Sequence, residues 1–416
     1  MAPGPKLRRL ERLRMRRGDD ELVVLRDPLE LAEPIAIDAS YDAVLDALDG
    51  QRTLAQIRQS LLMRGLVTVE LADLVDFVED LSEAGLLDDE RFRELWTAAH
   101  EAFVEQDIRP PRRAGLLYPD QPEALRAWLA PALPRARADA AEPAGQHADD
   151  RELGGARGWA RPPVAVVVPH QPPPSIAGPL RRLLAGLPAP EQYRRVVILA
   201  TDHTPGLLPY ASADKDWATP LGDVACDLEL LAELDQRLPW LLREQTRLRV
   251  SDPIEWATLI LRGLWGDRCP PVLPLACGQT RLTTTDGAQR ARELVTQLDD
   301  LLGESTRAGQ VLWWTAAELS HCGPAYGHAQ LPEREQVELD DRELLRPLLQ
   351  NQPQTLTRHL MDRDPAARPS GTAALVTLAE LLPSDYDAAL LDYQALPAPG
   401  DLPGWIGCPS IRFCRP

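Results

Sequence analysis

Lysine is almost missing from this chain: Lys6 and Lys215 are the only two, and arginine carries nearly all the positive charge, a bias of composition and not a functional signal. Phenylalanine occurs four times, against 40 prolines. No run of eighteen apolar residues exists and the amino terminus lacks the apolar core of a signal peptide, so the expectation is a cytoplasmic protein with no membrane insertion. Positive charge is also short overall. A formal net charge of −18 argues against a general nucleic-acid binder, because most of such a surface repels a phosphate backbone. The six cysteines contain no CxxC pair, which argues against a zinc knuckle or a disulfide framework and leaves isolated buried thiols. No phosphate loop, nucleophile elbow or GxGxxG is present, so nucleotide-dependent and serine-hydrolase readings lose their usual warrants.

What is present begins with three apolar runs. Residues 164–168 (VAVVV), 196–200 (VVILA) and 311–317 (VLWWTAA) are β-branched or apolar without polar alternation, the mark of strands buried on both faces of a parallel sheet. Each is followed by histidine: His170 after the first, His203 after the second, and Glu318 and His321 after the third. Open α/β sheets bind ligands beyond the carboxyl ends of their strands, so these imidazoles are expected to converge if the three strands are neighbours. Neutral imidazoles together with a carboxylate make a candidate transition-metal site, with His170, His203, Glu318 and His321 as ligands. Taken singly, each histidine is more often a hydrogen-bonded boundary residue than a ligand, and only three at equivalent strand ends balance the two readings; Asp202 reads as a turn cap before it reads as a partner orienting His203.

The rest of the chain divides by pattern. Residues 1–20 form a basic lead-in, read as solvated and frayed or else as a phosphate contact. Residues 21–105 hold two short strands at 22–25 and 35–37 and helices at 41–48, from Thr53, and through Leu71 to Leu81, closed by Gly85: a winged-helix-like domain. Its segments LDGQRTLAQI and LSEAGLLDDERF resemble the winged-helix peptide-recognition module found with radical-enzyme peptide-modifying systems. Residues 106–416 form an α/β domain, mainly a parallel sheet flanked by helices, with a flexible Ala-, Arg- and Pro-rich excursion at about 131–162. Helices are expected at 178–187, 228–238, 254–264, 286–302, 340–349 and 372–382, and a further strand at 271–276.

In order along this larger domain, YPDQPEALRAWL, VVPHQPPPSIAG, VVILATDHT, WATPLGDVACD, ELSHCG and IGCPSIRF resemble the Memo-like family, also called AmmeMemoRadiSam system protein B, over about residues 113–413. The resemblance implies a fold like that of the class III extradiol dioxygenases, a metal between strand-end histidines matching His170, His203 and His321, and redox or oxygen chemistry at iron or copper, with zinc as a further candidate. Where the family reads Glu-His-Ser-x-Glu this chain has Ser251, Asp252, Pro253, Ile254 and Glu255, so that only the last carboxylate is kept. The family's Cys-Gly is Ser370-Gly371, and the glycine and tyrosine after the first histidine give way to Pro172 to Pro174. Three readings follow. In the first, a divergent metal-binding protein uses His170 at the metal and Asp202 or Glu255 to manage protons. In the second, the chain is a non-catalytic module that holds a peptide or protein partner, and in the third a DNA-binding regulator.

Overall fold

The computed structural model describes residues 4–18, 20–66, 70–134, 162–278, 282, 284–363, 368–383 and 385–415. The part of the expected excursion from 135 to 161 lies outside the described residues. Contacts between Cα atoms divide the chain into two units, residues 1–105 with 400–402, and residues 106–399 with 403–416.

In the first unit β1 (Glu11–Arg17), β2 (Asp20–Arg26) and β3 (Ile35–Asp38) form an antiparallel sheet in that order, and α1 (Asp42–Ala47), α2 (Leu54–Met63), α3 (Leu71–Glu83) and α4 (Glu90–Val104) follow. Val23, Leu25, Val44, Leu45, Ile57, Leu61, Leu74 and Leu81 make its core. The cationic segment read above as a frayed lead-in is, over Glu11–Arg17, the edge strand β1. Arginines alternate there with Leu13 and Met15, and Arg12 and Arg14 pair with Asp42, Arg12 also with Asp46, and Arg16 with Glu21. Carboxylates of the same unit thus answer the charge that suggested phosphate contact. The helix α2 opens with a capping box: Thr53 Oγ1 accepts from Gln56 N while Gln56 Oε1 accepts from Thr53 N. Helix α4 is absent from the sequence reading. Its start at Asp89, which accepts from Phe92 N, is an ordinary N-cap that was available there.

The second unit runs β4 (Ile108–Arg109), α5 (Pro122–Leu129), β5 (Pro163–Val168), α6 (Ala177–Ala185), β6 (Arg195–Thr201), β7 (Tyr210–Ala211), β8 (Asp216–Trp217), α7 (Leu228–Arg237), α8 (Asp252–Trp265), β9 (Val272–Cys277), α9 (Thr285–Arg307), β10 (Val311–Ala316), β11 (His321–Cys322), α10 (Arg334–Leu349), α11 (Pro353–Met361), α12 (Thr372–Leu381), β12 (Asp387–Pro397) and β13 (Trp405–Cys414). The order across its main sheet is β11-β13-β5-β10-β6-β9-β7, with β12 paired to β13. Strands β5, β10, β6 and β9 are parallel, and antiparallel strands flank them at both margins. The parallel centre is buried along its length, as the unbroken apolar runs require, and each fully buried valine or leucine contributes ~1.5–3 kcal/mol relative to exposure. The expected helices of this domain and all four long parallel strands are present. Strands β12 and β13 were not anticipated: both are long, and β13 carries proline and arginine among its apolar residues, which obscures its period. None of the six cysteines is in a disulfide, and Cys226, Cys277, Cys408 and Cys414 are buried. Among the described residues no helix is long and apolar enough to cross a membrane.

The capping box gives the first testable expectation. Thr53→Ala, which removes one of its two reciprocal bonds, should destabilise the first unit by about 1 kcal/mol, read as a lower urea midpoint in far-UV circular dichroism of the full chain; an unchanged midpoint would show that α2 does not depend on the cap.

Candidate functional site

Strand register explains how the candidate residues meet. Ala316 of β10 lies level with Val168 of β5 on one side and with Ala200 of β6 on the other. Two residues further along each chain stand Glu318, His170 and Asp202, and His203 and His321 follow within three more. The three histidine-bearing strands are therefore adjacent, and their carboxyl ends open on one cleft.

Four of the expected side chains are in contact there. His203 Nε2 lies 3.2 Å from His170 Nε2. His170 Nε2 and His321 Nε2 each lie 3.3 Å from the same oxygen, Glu318 Oε2. The other carboxylate oxygen, Oε1, accepts from the Gln171 amide at 2.8 Å. His321 Nδ1 is 3.0 Å from the Leu319 carbonyl, which can only accept, so Nδ1 carries hydrogen and Nε2 is the atom turned to the cleft. His170 Nδ1 is buried with no hydrogen-bond partner.

Charge is distributed unevenly over this chain of contacts. Glu318 is 1% exposed. Burial alone raises its pKa, but His170, His321 and Gln171 outweigh that and hold it at about 2, so it is an anion. Burial lowers His170, and Glu318 only partly offsets this. His203, though the residue is exposed, is lowered to about 4 by desolvation among its neighbours and then by His170. For His321 burial opposes the charge, yet the bonds to Glu318 and to Leu319 raise its pKa. One carboxylate, one imidazole that favours protonation and two neutral imidazoles make up the cluster.

Asp202 and Glu255 are placed differently. Asp202 is in a buried ion pair with Arg247, whose Nε donates to it at 2.8 Å, and its second oxygen caps the following turn by accepting from Thr204 N at 2.8 Å. It fastens the loop that carries His203 and does not touch the imidazole rings by any hydrogen bond among the described residues. Glu255 forms a buried ion pair with Arg109, and it accepts from Arg113 N at 2.8 Å and Tyr118 Oη at 2.7 Å. Its partners hold the start of α8 to the segment 109–118, and none of them is a cleft histidine.

Three neighbours escaped the sequence reading. Gln171 is one, because a glutamine following a histidine carries no pattern. Tyr326 is another: its ring stands edge-on to His321 with centroids 5.0 Å apart. Asp252, paired with Arg113, is close enough for its charge to bear on His170. The only signal for it was the missing histidine at that position. Ser370 and Gly371 lie beside the site as well. Gly371 N donates to the Glu318 carbonyl at 3.0 Å, a Cβ on Gly371 would come within 2.6 Å of that carbonyl oxygen, and Ser370 Oγ is buried without a hydrogen-bond partner.

Donor type and pairwise spacing suit a transition metal. Nitrogen or oxygen donors at about 2.1 Å from one ion stand about 3.0–3.4 Å apart, and the three contacts fall in that interval. They run, however, as an open chain from His203 through His170 and Glu318 to His321, and among the described residues no group of three or more His, Cys, Asp or Glu side chains is disposed to hold a metal ion as it stands. Closing the chain around one point requires rotation of the rings. The engaged state of Glu255 leads to a separate expectation: Glu255→Ala leaves Arg109 charged and buried, and should cost about 3–5 kcal/mol. Thermal unfolding checks this, and a variant as stable as the parent would return Glu255 to the candidates for chemistry.

Comparison with known proteins bears on the family of the larger unit. A MEMO1 family protein of Thermus thermophilus is 28% identical over 338 residues, 80% of this chain and 90% of its own. Another MEMO1 family protein, from Aquifex aeolicus, is 22% identical over 305 residues, 73% of each. Among solved structures, an uncharacterized protein of Escherichia coli K12 covers 60% of this chain and 98% of its own, with a TM-score of 0.33 and 12% identity, too loose a likeness to bear on the fold. The family model described as Memo-like protein matches residues 109–394, most of the larger unit, and the chain belongs to that family.

Proposed function

We propose that this Memo-like chain takes up a divalent transition metal, iron or copper with zinc as a further candidate, through His170, His203 and His321 together with Glu318. The observation behind this reading is the run of 3.2–3.3 Å contacts among three imidazoles and one carboxylate at the level ends of adjacent strands. When bound, such an ion supplies a Lewis acid or a redox centre, the chemistry expected of a dioxygenase-like cleft.

The chain's own residues have separable tasks in this reading. Gln171 occupies Glu318 Oε1, so Glu318 presents a single oxygen, Oε2, to the imidazoles. Leu319 fixes the hydrogen of His321 on Nδ1 and keeps Nε2 for the cleft. The depressed pKa of His170 and of His203 keeps both rings neutral, as ligands must be. Arg247, through Asp202, secures the loop of His203. Proton handling, assigned in the sequence reading to Asp202 or Glu255, passes in this reading to Asp252, whose charge bears on His170.

The unit of residues 1–105 is read as a winged-helix-like module for a peptide or protein partner in the cytosol. Its three-stranded antiparallel sheet and helices support that reading, as does the unpaired apolar surface of Leu62 and Met63, the latter 82% exposed.

Anaerobic titration of metal-free protein with Fe2+ or Cu2+ should find one tight site per chain, and a His170→Ala, His203→Ala double variant should lose at least about 100-fold in affinity, beyond what loss of an outer partner costs. Parent protein that takes up neither ion nor Zn2+ would sink the reading and leave the cleft as a binding pocket.

A further inference from the structure

One more buried carboxylate stands behind the cleft. Asp341, on α10, is 1% exposed and forms no ion pair among the described residues. A carboxylate placed so is costly unless donors surround it. Its donors come from two places. Ser320 gives both its hydroxyl, at 2.6 Å, and its backbone N–H, at 3.3 Å, and Tyr393 of β12 gives its phenol. Close approach depends on Gly407 of β13, where a Cβ would lie 2.0 Å from Asp341 Oδ2 and 2.7 Å from the Tyr393 oxygen.

Ser320 sits between two cleft residues, Glu318 and His321. The segment that carries all three is tied down on every side. Ala317 N donates to Val168 O, Gly371 N to Glu318 O, Leu319 N to Gly407 O, and Gly407 N to Ser320 O, at 2.8–3.0 Å. Backbone ties set the path of the chain, whereas Asp341 grips the side chain of Ser320, next to His321.

We infer that Asp341 is a positioning residue for the cleft: through Ser320 it fixes where Glu318 Oε2 and His321 Nε2 point, and so it sets the affinity of the site without touching a ligand. Buried partners behind metal ligands act this way, and their loss commonly weakens binding about 10–100-fold. The inference rests on the metal reading for its affinity arm alone.

The test compares four variants of the full chain, with Co2+ affinity from calorimetry and visible absorption, unfolding temperature, and the His321 Nδ1–H signal of metal-free protein labelled with 15N in its histidine rings. Asp341→Ala should weaken Co2+ binding about 10–100-fold and lose the protected Nδ1–H signal. Asp341→Asn keeps an acceptor for Ser320 and should recover most of both. Leu345→Ala, a fully buried truncation on the same helix, should lower the unfolding temperature while leaving affinity and signal alone. Ser320→Ala should follow Asp341→Ala in part, and it decides the matter if Asp341→Ala does not fold. Affinity and signal that stay at parental values in Asp341→Ala, or fall equally in Leu345→Ala, overturn the inference. If the parent takes no Co2+, the metal reading fails by itself, and the Nδ1–H signal still decides: lost in Asp341→Ala it upholds the clamp, retained it removes it.

Discussion

Everything at the cleft depends on keeping one anion, Glu318, charged where almost no water reaches it. An isolated carboxylate in such a place would take up a proton, because burial penalises the charged form. Here Gln171 donates to one oxygen and the other faces two imidazoles. The carboxylate in turn determines the state of its neighbours, since it favours protonation of His321 while His170 and His203, poorer in such support, remain neutral. An electrostatic gradient thus crosses a few ångström of cleft floor, and it exists before any ligand arrives.

Other carboxylates of the larger unit show by contrast what makes this one distinctive. Asp202 and Glu255 each meet a buried arginine, and their remaining capacity is taken by loop or turn donors. Such pairs set conformational register more than net stability. Asp341 meets only hydroxyl and amide donors. Glu318 alone has imidazoles, partners that can release or accept protons near neutrality. The nature of the partner, and not the presence of an acid, sets this carboxylate apart from the others.

Much of this was legible in the residues. An unbroken apolar strand such as VAVVV has no surface it could turn to water, so a parallel central sheet followed directly, and with it the placing of His170, His203, Glu318 and His321 at strand ends. Adjacency was not legible. The order β5-β10-β6 places between the first two strands one that arrives over a hundred residues later, and no local pattern encodes it. The assignment of Asp202 and Glu255 to proton handling overlooked Arg247 and Arg109, which are remote in sequence and look like any other arginine in so arginine-rich a chain. Gln171 and Tyr326 were missed for the same reason: their part is given by where the backbone carries them and not by what precedes or follows. For β1 the reading as a frayed lead-in missed a period of two, in which Leu13 and Met15 alternate with arginines in the sheet.

Strand β13 has a bearing on how the protein comes to be made. It lies beside β5, receives β11 and β12, and supplies Gly407 to the segment of Glu318 and His321. A ribosome releases β5, β6 and β10 well before it. During that interval the parallel strands have one margin without its neighbour, and the segment of Glu318 and His321 lacks its two backbone bonds to Gly407, so the ties of the cleft are complete only once β13 has been made.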